Sequence, residues 1–328
     1  MTISLRMARV AASAIAAATV TALLGPASPG ISAPSSSAVV ATTRATPRVL
    51  HRIVWDDWKA GRPGIHLVSE TATGDDRRRI YVSHRGFTMT LVLDRRGRRV
   101  AFAPCCHRSL PLLVVVPVLG GRVLEPLARH DEFYFADGIG WSPNGRRLVF
   151  QGGVRHGHRL SMALWTVHPN GTGLHRLLPL GSPRADDAPF NASVAWTRQG
   201  VLYSDGRDLR VVRHGKSSLL LRHVTAVRIS GDGTRIVTDQ MRQQRRSLWI
   251  GDADGTDQTR FYIYSDQPVD GWLFDPQPNH DGTRLLAVRD RSTPAGSTME
   301  VITWVVAEGV DSATVLAELG SPGAVTWN

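Results

Sequence analysis

A turn of the form Trp141-Ser142-Pro143-Asn144-Gly145 runs straight into an apolar strand at 147–150, and relatives of this unit recur along the chain. Leu91-Val92-Leu93-Asp94-Arg95-Arg96-Gly97 leads into Arg99-Val100-Ala101-Phe102. Val227-Arg228-Ile229-Ser230-Gly231-Asp232-Gly233 leads into Arg235-Ile236-Val237-Thr238, and Pro276-Gln277-Pro278-Asn279-His280-Asp281-Gly282 leads into Arg284-Leu285-Leu286-Ala287-Val288. The turn glycines lie 48, 88 and 49 residues apart, and 88 is twice 44. A period in the middle forties built of short strands is the signature of a propeller blade. The turn residues have a direct physical use: Pro143 sets φ near −65° and Gly145 accepts positive φ without steric cost.

Strands are short, turns are rich in Gly, Asp, Asn and Pro, and no helical apolar period persists beyond the N-terminus. Placing each turn glycine between first and second strands predicts an all-β fold. It is a six-bladed β-propeller of four-stranded antiparallel blades, closed by pairing of N- and C-terminal strands. The second unit has strands at 90–93, 99–103, 112–118 and 122–127, and the third at 138–141, 147–151, 163–168 and 175–178. The fourth is expected at 193–196, 201–204, 209–213 and 218–221, with a shortened hairpin at Thr197-Arg198-Gln199-Gly200. The fifth has 226–229, 235–239, 247–251 and 259–262; the sixth has 272–275, 284–288, 300–306 and 313–319. A C-terminal first strand at 323–328 joins 52–55, 64–68 and 79–82 to complete one blade. Trp141, Trp196, Phe274 and Trp327 end first strands, where large rings pack between blades. Trp165 and Trp249 precede the outer hairpins His168-Pro169-Asn170-Gly171 and Asp252-Ala253-Asp254-Gly255, whose Asn and Asp residues read as turn residues rather than calcium ligands.

Arg6 and Arg9 followed by an alanine-rich apolar run and small residues around Ser32-Ala33 predict an export signal over 1–33. The rival reading, an uncleaved anchor, conflicts with an apolar core of about 15 residues where about 20 are needed to span a bilayer. Residues 34–50 form a Ser/Thr/Ala/Pro leader, and 51–328 the propeller. No membrane span is expected after cleavage, and the mature protein is expected as a monomer, secreted or periplasmic and associated with the cell envelope.

The unit Trp141-Ser142-Pro143-Asn144-Gly145, Phe150, Leu164-Trp165, Asn170-Gly171 and Leu177 resembles the repeat of the TolB-like six-bladed propeller family of exported bacterial proteins, a WD40-like (PD40) repeat. Ser230, Asp232, Gly233, Leu248, Trp249, Asp254 and Gly255 carry the same resemblance in the fifth unit. The likeness extends from about residue 51 to the end, with the third unit its strongest part. It implies a protein-binding platform of the envelope. Related propellers stand beside peptidase domains, and the envelope member carries an added N-terminal domain for which the residues between leader and first blade leave no room. No serine hydrolase domain is expected after the propeller.

The chain is basic, with a formal net charge of +11. Connections between second and third strands, together with those between blades, share one face of a propeller. There the sequence concentrates His107, Arg108, Arg155, His156, His158, Arg159, Arg184, Arg242, Arg245, Arg246, Arg289 and Arg291. Such a face attracts an acidic protein surface or an anionic ligand; the plainer reading is a set of solvated loops in a basic exported protein. Nucleic acid is disfavoured by export and by the lack of any recognition motif. His156 and His158, with His107 or His130 nearby, lack partners at zinc-site spacing, so no metal and no cofactor is expected. Asp186-Asp187 is half of an acid pair at most, and no Gly-x-Ser-x-Gly elbow is present. The alternative function is an extracellular hydrolase or lyase acting on a polymer at the funnel. Cys105 and Cys106, the two cysteines of the chain, are adjacent, and an oxidising exterior favours a vicinal disulfide stiffening the 104–109 turn.

Overall fold

The computed structural model describes residues 52–328 apart from 58–63, 72, 74, 106–108, 182–192, 243–244, 265–271, 294–295, 320–324 and 328. The signal and leader expected over 1–50 lie outside the described residues. The described strands form six separate sheets. Blade 1 combines β23 (Val325–Trp327) with β1 (Arg52–Asp56), β2 (Ile65–Thr71) and β3 (Arg78–Ser83). Blade 2 holds β4 (Phe87–Leu93), β5 (Arg99–Cys105) and β6 (Val114–Pro117). Blade 3 holds β7 (Phe133–Trp141), β8 (Leu148–His156), β9 (Arg159–Val167) and β10 (His175–Gly181). Blade 4 holds β11 (Val194–Trp196), β12 (Val201–Ser204), β13 (Asp208–Arg213) and β14 (Lys216–Arg222). Blade 5 holds β15 (Val224–Ile229), β16 (Arg235–Arg242), β17 (Arg245–Asp252) and β18 (Thr259–Ile263). Blade 6 holds β19 (Trp272–Pro278), β20 (Arg284–Thr293), β21 (Gly296–Val305) and β22 (Thr314–Leu319).

Two parts of the expected architecture are corrected. Blades have three or four strands rather than four throughout. In blade 2 the outer strand expected at 122–127 is reduced to a single bridge, Val115 opposite Leu124. Gly120 and Gly121 both take positive φ, and Pro126 has no amide to donate, so the segment cannot continue a ladder. Second, the terminal pairing does not close the sheets. Ile53 lies opposite Trp327 and Trp55 opposite Val325, but both strands belong to blade 1. Among the described residues no strand ladder passes from one blade to the next, and neighbouring blades meet chiefly through side-chain packing.

That packing follows from the two-residue period of a strand, which sends alternate side chains to opposite faces of each sheet. On β5, Val100 and Phe102 pack toward Val54, Ile65 and Leu67 of blade 1, while Ala101 and Ala103 pack toward Ile139, Leu148 and Phe150 of blade 3. On β8, Val149 joins Val201 and Tyr203 of blade 4. On β16, Ile236 meets Leu202 and Leu209 of blade 4, and Val237 meets Leu285 and Ala287 of blade 6. On β20, Leu286 and Val288 complete the circuit against Ile53, Trp55 and Val68 of blade 1. The innermost strands β4, β7, β11, β15, β19 and β23 touch in that order, with β23 returning to β4.

Candidate functional site

The ends of the inner strands converge on one small cavity lined by Leu93, Trp141, Ala195, Ile229, Pro278 and Thr326. All the Gly-turns therefore emerge at this end of the ring, and the hairpins between second and third strands emerge at the other. The hairpin end carries those of the expected cations that are described, and carries them on strand ends and tight turns. His156 lies opposite Arg159, leaving a two-residue turn of Gly157, at φ 61°, and His158, the type that glycine in first place favours. Arg155, His156, His158 and Arg159 are all exposed. Arg155 donates from Nε to the Gly157 carbonyl at 3.0 Å and lies 5.2 Å above the Tyr134 ring. In blade 5, Arg242 lies directly opposite Arg245, an arrangement of like charges that works against the sheet. Both are exposed, and Arg242 rests 5.6 Å from the centre of Trp249.

Two expected members of the face are engaged internally. Arg246 donates from Nε to Oδ2 of buried Asp239 at 2.6 Å and stacks on Tyr264 at 4.5 Å. Arg289 lies opposite Glu300 and donates from Nε to its Oε2 at 2.9 Å, and Glu300 is also buried. Blade 4, between the two basic hairpins, mixes its charges, with Asp205 and Asp208 beside Arg207 and Arg210. Asp205 accepts the amides of Arg207 and Asp208 and pairs with Arg210 at 2.6 Å. Burial raises its carboxyl, but these donors outweigh burial and hold it below the ordinary value. Of the expected cations, those that are described, exposed and not paired internally lie on blades 3 and 5. His107, Arg108 and Arg184 lie outside the described residues, as do Asp186, Asp187 and the side chain of Arg291. Cys105, at the end of β5, is disulfide-bonded; Cys106, the only other cysteine, lies outside the described residues. His130 pairs with Glu132 at 3.2 Å. Among the described residues, no group of three or more His, Cys, Asp or Glu side chains is placed to hold a metal ion.

The turn end is bridged by one side chain. Arg95 crosses from the blade 2 turn to donate to the carbonyls of Asp232, on opposite blade 5, at 3.0 Å and of Trp196, on blade 4, at 3.1 Å. Burial, then the like charge of Arg198, lowers its pKa, against the opposing pull of Asp232. The cavity behind it measures about 50 Å³, room for a few waters and too little for a polymer chain. Neighbouring turns also bond directly, Asp232 N donating to the His280 carbonyl at 2.7 Å. A repeated arginine two residues after the turn glycine adds to this. Arg99 reaches the Gly145 carbonyl at 2.5 Å, and a Cβ on Gly282 would come within 2.7 Å of Arg235. Sequence reasoning missed both roles, although the Gly-x-Arg spacing at 97, 145, 233 and 282 was a visible signal.

The turn carboxylates give the fold an acid limb. Burial raises the Asp232 carboxyl, yet bonds from Ser230 and Thr234 outweigh it and hold the group below 3.8. Thr283 does the same for Asp281 from its hydroxyl and amide. A lowered folded pKa contributes stability above about 3.8 that is lost as pH falls through the folded value. Asp56, raised chiefly by burial, contributes with the opposite sign: its share is present at low pH and lost as pH rises through its folded pKa. Melting temperature is expected to fall below about pH 4, and the fall should be shallower in D232N/D281N; an identical acid limb in that variant would refute the assignment.

No sequence-family profile and no curated protein matches the chain. Solved structures do. TolB from Acinetobacter baumannii superposes with a TM-score of 0.60 at 10% identity, over 84% of this chain and 66% of that one. This chain thus spans just under two thirds of that protein. The putative TolB from Agrobacterium tumefaciens gives 0.54 at 13% identity, covering 85% and 98%. A chain of the nidogen/laminin complex gives 0.57 at 10%, covering 84% and 98%. No helix among the described residues is long and apolar enough to cross a membrane. With six sheets packed in a ring and this likeness to two TolB proteins, the protein is a six-bladed β-propeller that structurally resembles the TolB family.

Proposed function

We propose that this is an exported, non-catalytic propeller that serves as a binding platform at the cell envelope, for an envelope or extracellular protein or an anionic ligand. The observation that carries the reading is the exposed β8–β9 hairpin. Arg155, His156, His158 and Arg159 stand together there on a tight turn, and the Arg155 guanidinium is braced on Tyr134. Braced cations lose less freedom on binding than floppy ones, so more of the electrostatic attraction appears as affinity and association rate. The fold is also found in a chain of the nidogen/laminin complex, which supports a protein partner. Export rests on the basic and apolar N-terminus, and the mature chain should begin near Ala33.

The test is capture of envelope proteins by the mature chain, with partners identified by mass. R155E/R159E is expected to weaken retention of the specific partner by about tenfold or more, and more so at low salt. R245E should have a separate, smaller effect. Undiminished retention by R155E/R159E would remove this face from the proposal.

A further inference from the structure

The turn end carries a second concavity, distinct from the hairpin face. Arg95, Arg96, Arg98 and Arg99 of the blade 2 turn face Pro143 and Asn144 of the blade 3 turn across a cleft of about 470 Å³. Four arginines contribute to the walls of this cleft with one carboxylate, Asp94, whose oxygens already accept from the same turn. Its Oδ1 accepts the Arg98 amide at 2.8 Å and its Oδ2 accepts Arg99 Nε at 3.1 Å. Arg95 is fixed across the channel, and Arg99 is fixed by Asp94, the Gly145 carbonyl and the face of Trp141, 4.7 Å away. Arg96 and Arg98 stand exposed at the rim, and Arg96 makes no ion pair or hydrogen bond among the described residues.

Gathering this much like charge costs free energy unless counter-charge enters. The volume lies in the range of small-molecule sites, and a wall this cationic does not suit an apolar occupant. The guanidinium fork matches the two oxygens of a carboxylate or phosphoryl group. We infer that the cleft binds a small polyvalent oxyanion, held at the rim by Arg96 and Arg98 against the fixed wall of Arg99 and the Asn144 turn. The shared chemistry is a phosphoryl or carboxyl group; the probes below separate the two.

Pyrophosphate and citrate are titrated into the mature protein by calorimetry over a series of sodium chloride concentrations. Saturable binding that weakens with salt is expected, and it should weaken at least about tenfold in R96E/R98E and remain unchanged in R155E/R159E. Tighter pyrophosphate marks a phosphoryl ligand, and tighter citrate a carboxylate one. Because both rim arginines are exposed, the variant should keep the wild-type melting temperature; R96Q/R98Q, with the same expected loss, replaces it otherwise. Absence of saturable binding for either probe overturns the inference. So does equal weakening by the two variant pairs, which would mark diffuse charge attraction.

Discussion

Replacing Trp141 by alanine is expected to destabilise the protein by about 3–5 kcal/mol, the range for emptying a buried large aromatic site. Trp141 ends the inner strand of blade 3 and is buried in the core between blades 2 and 3. Its Nε1 donates to the Val92 carbonyl of blade 2 at 3.1 Å, and Arg99 lies on its face. Truncation therefore leaves a cavity, an unpaired carbonyl and an unsupported guanidinium at one inter-blade contact. W141F restores much of the buried area but no donor, so it should cost about 1–3 kcal/mol, the penalty of an unmet hydrogen bond. Urea denaturation of the three proteins checks the order. If W141A costs no more than W141F, the ring acts as a local turn residue and holds no blades together.

The second large effect concerns two arginines adjacent in sequence. R246A is expected to lose about 2–4 kcal/mol of stability, because it strands the buried carboxylate of Asp239; the lower end allows for the partial exposure of Arg246. R245A should change stability by less than about 0.5 kcal/mol, as an exposed charge whose cross-strand neighbour is another arginine. The same denaturation experiment separates them, and D239N should recover part of the loss when combined with R246A. Equal effects of the two alanine variants would contradict the pairing. Arg246 is accordingly unsuitable for mapping the binding face, since its loss would lower affinity through instability alone.

Much of the fold was legible because it rests on local chemistry. Gly97, Gly145, Gly233 and Gly282 take φ values of 62°, 66°, 77° and 72°, as the turns required. The first-strand starts and hairpin lengths were read less well. The hairpins β8–β9, β16–β17 and β20–β21 run farther outward than their apolar stretches, because polar residues such as Arg155 and Arg242 continue a ladder that cross-strand partners hold in register. The basic face was visible as composition. Which of its cations are spent was not, because that depends on Arg246 reaching Asp239 and on Arg289 meeting Glu300 across strand pairs.

Residue order alone settled the blade unit, because turn glycines and alternating apolar side chains act within a few residues of themselves. Folding in three dimensions decided which cations stay available and which are spent. Arg95 finds Asp232 across 137 residues of chain, and Arg99 finds Gly145 in the next blade. Such partners meet only when sheets pack face to face, and a guanidinium is free for a ligand only where that packing leaves it no carboxylate or carbonyl to neutralise.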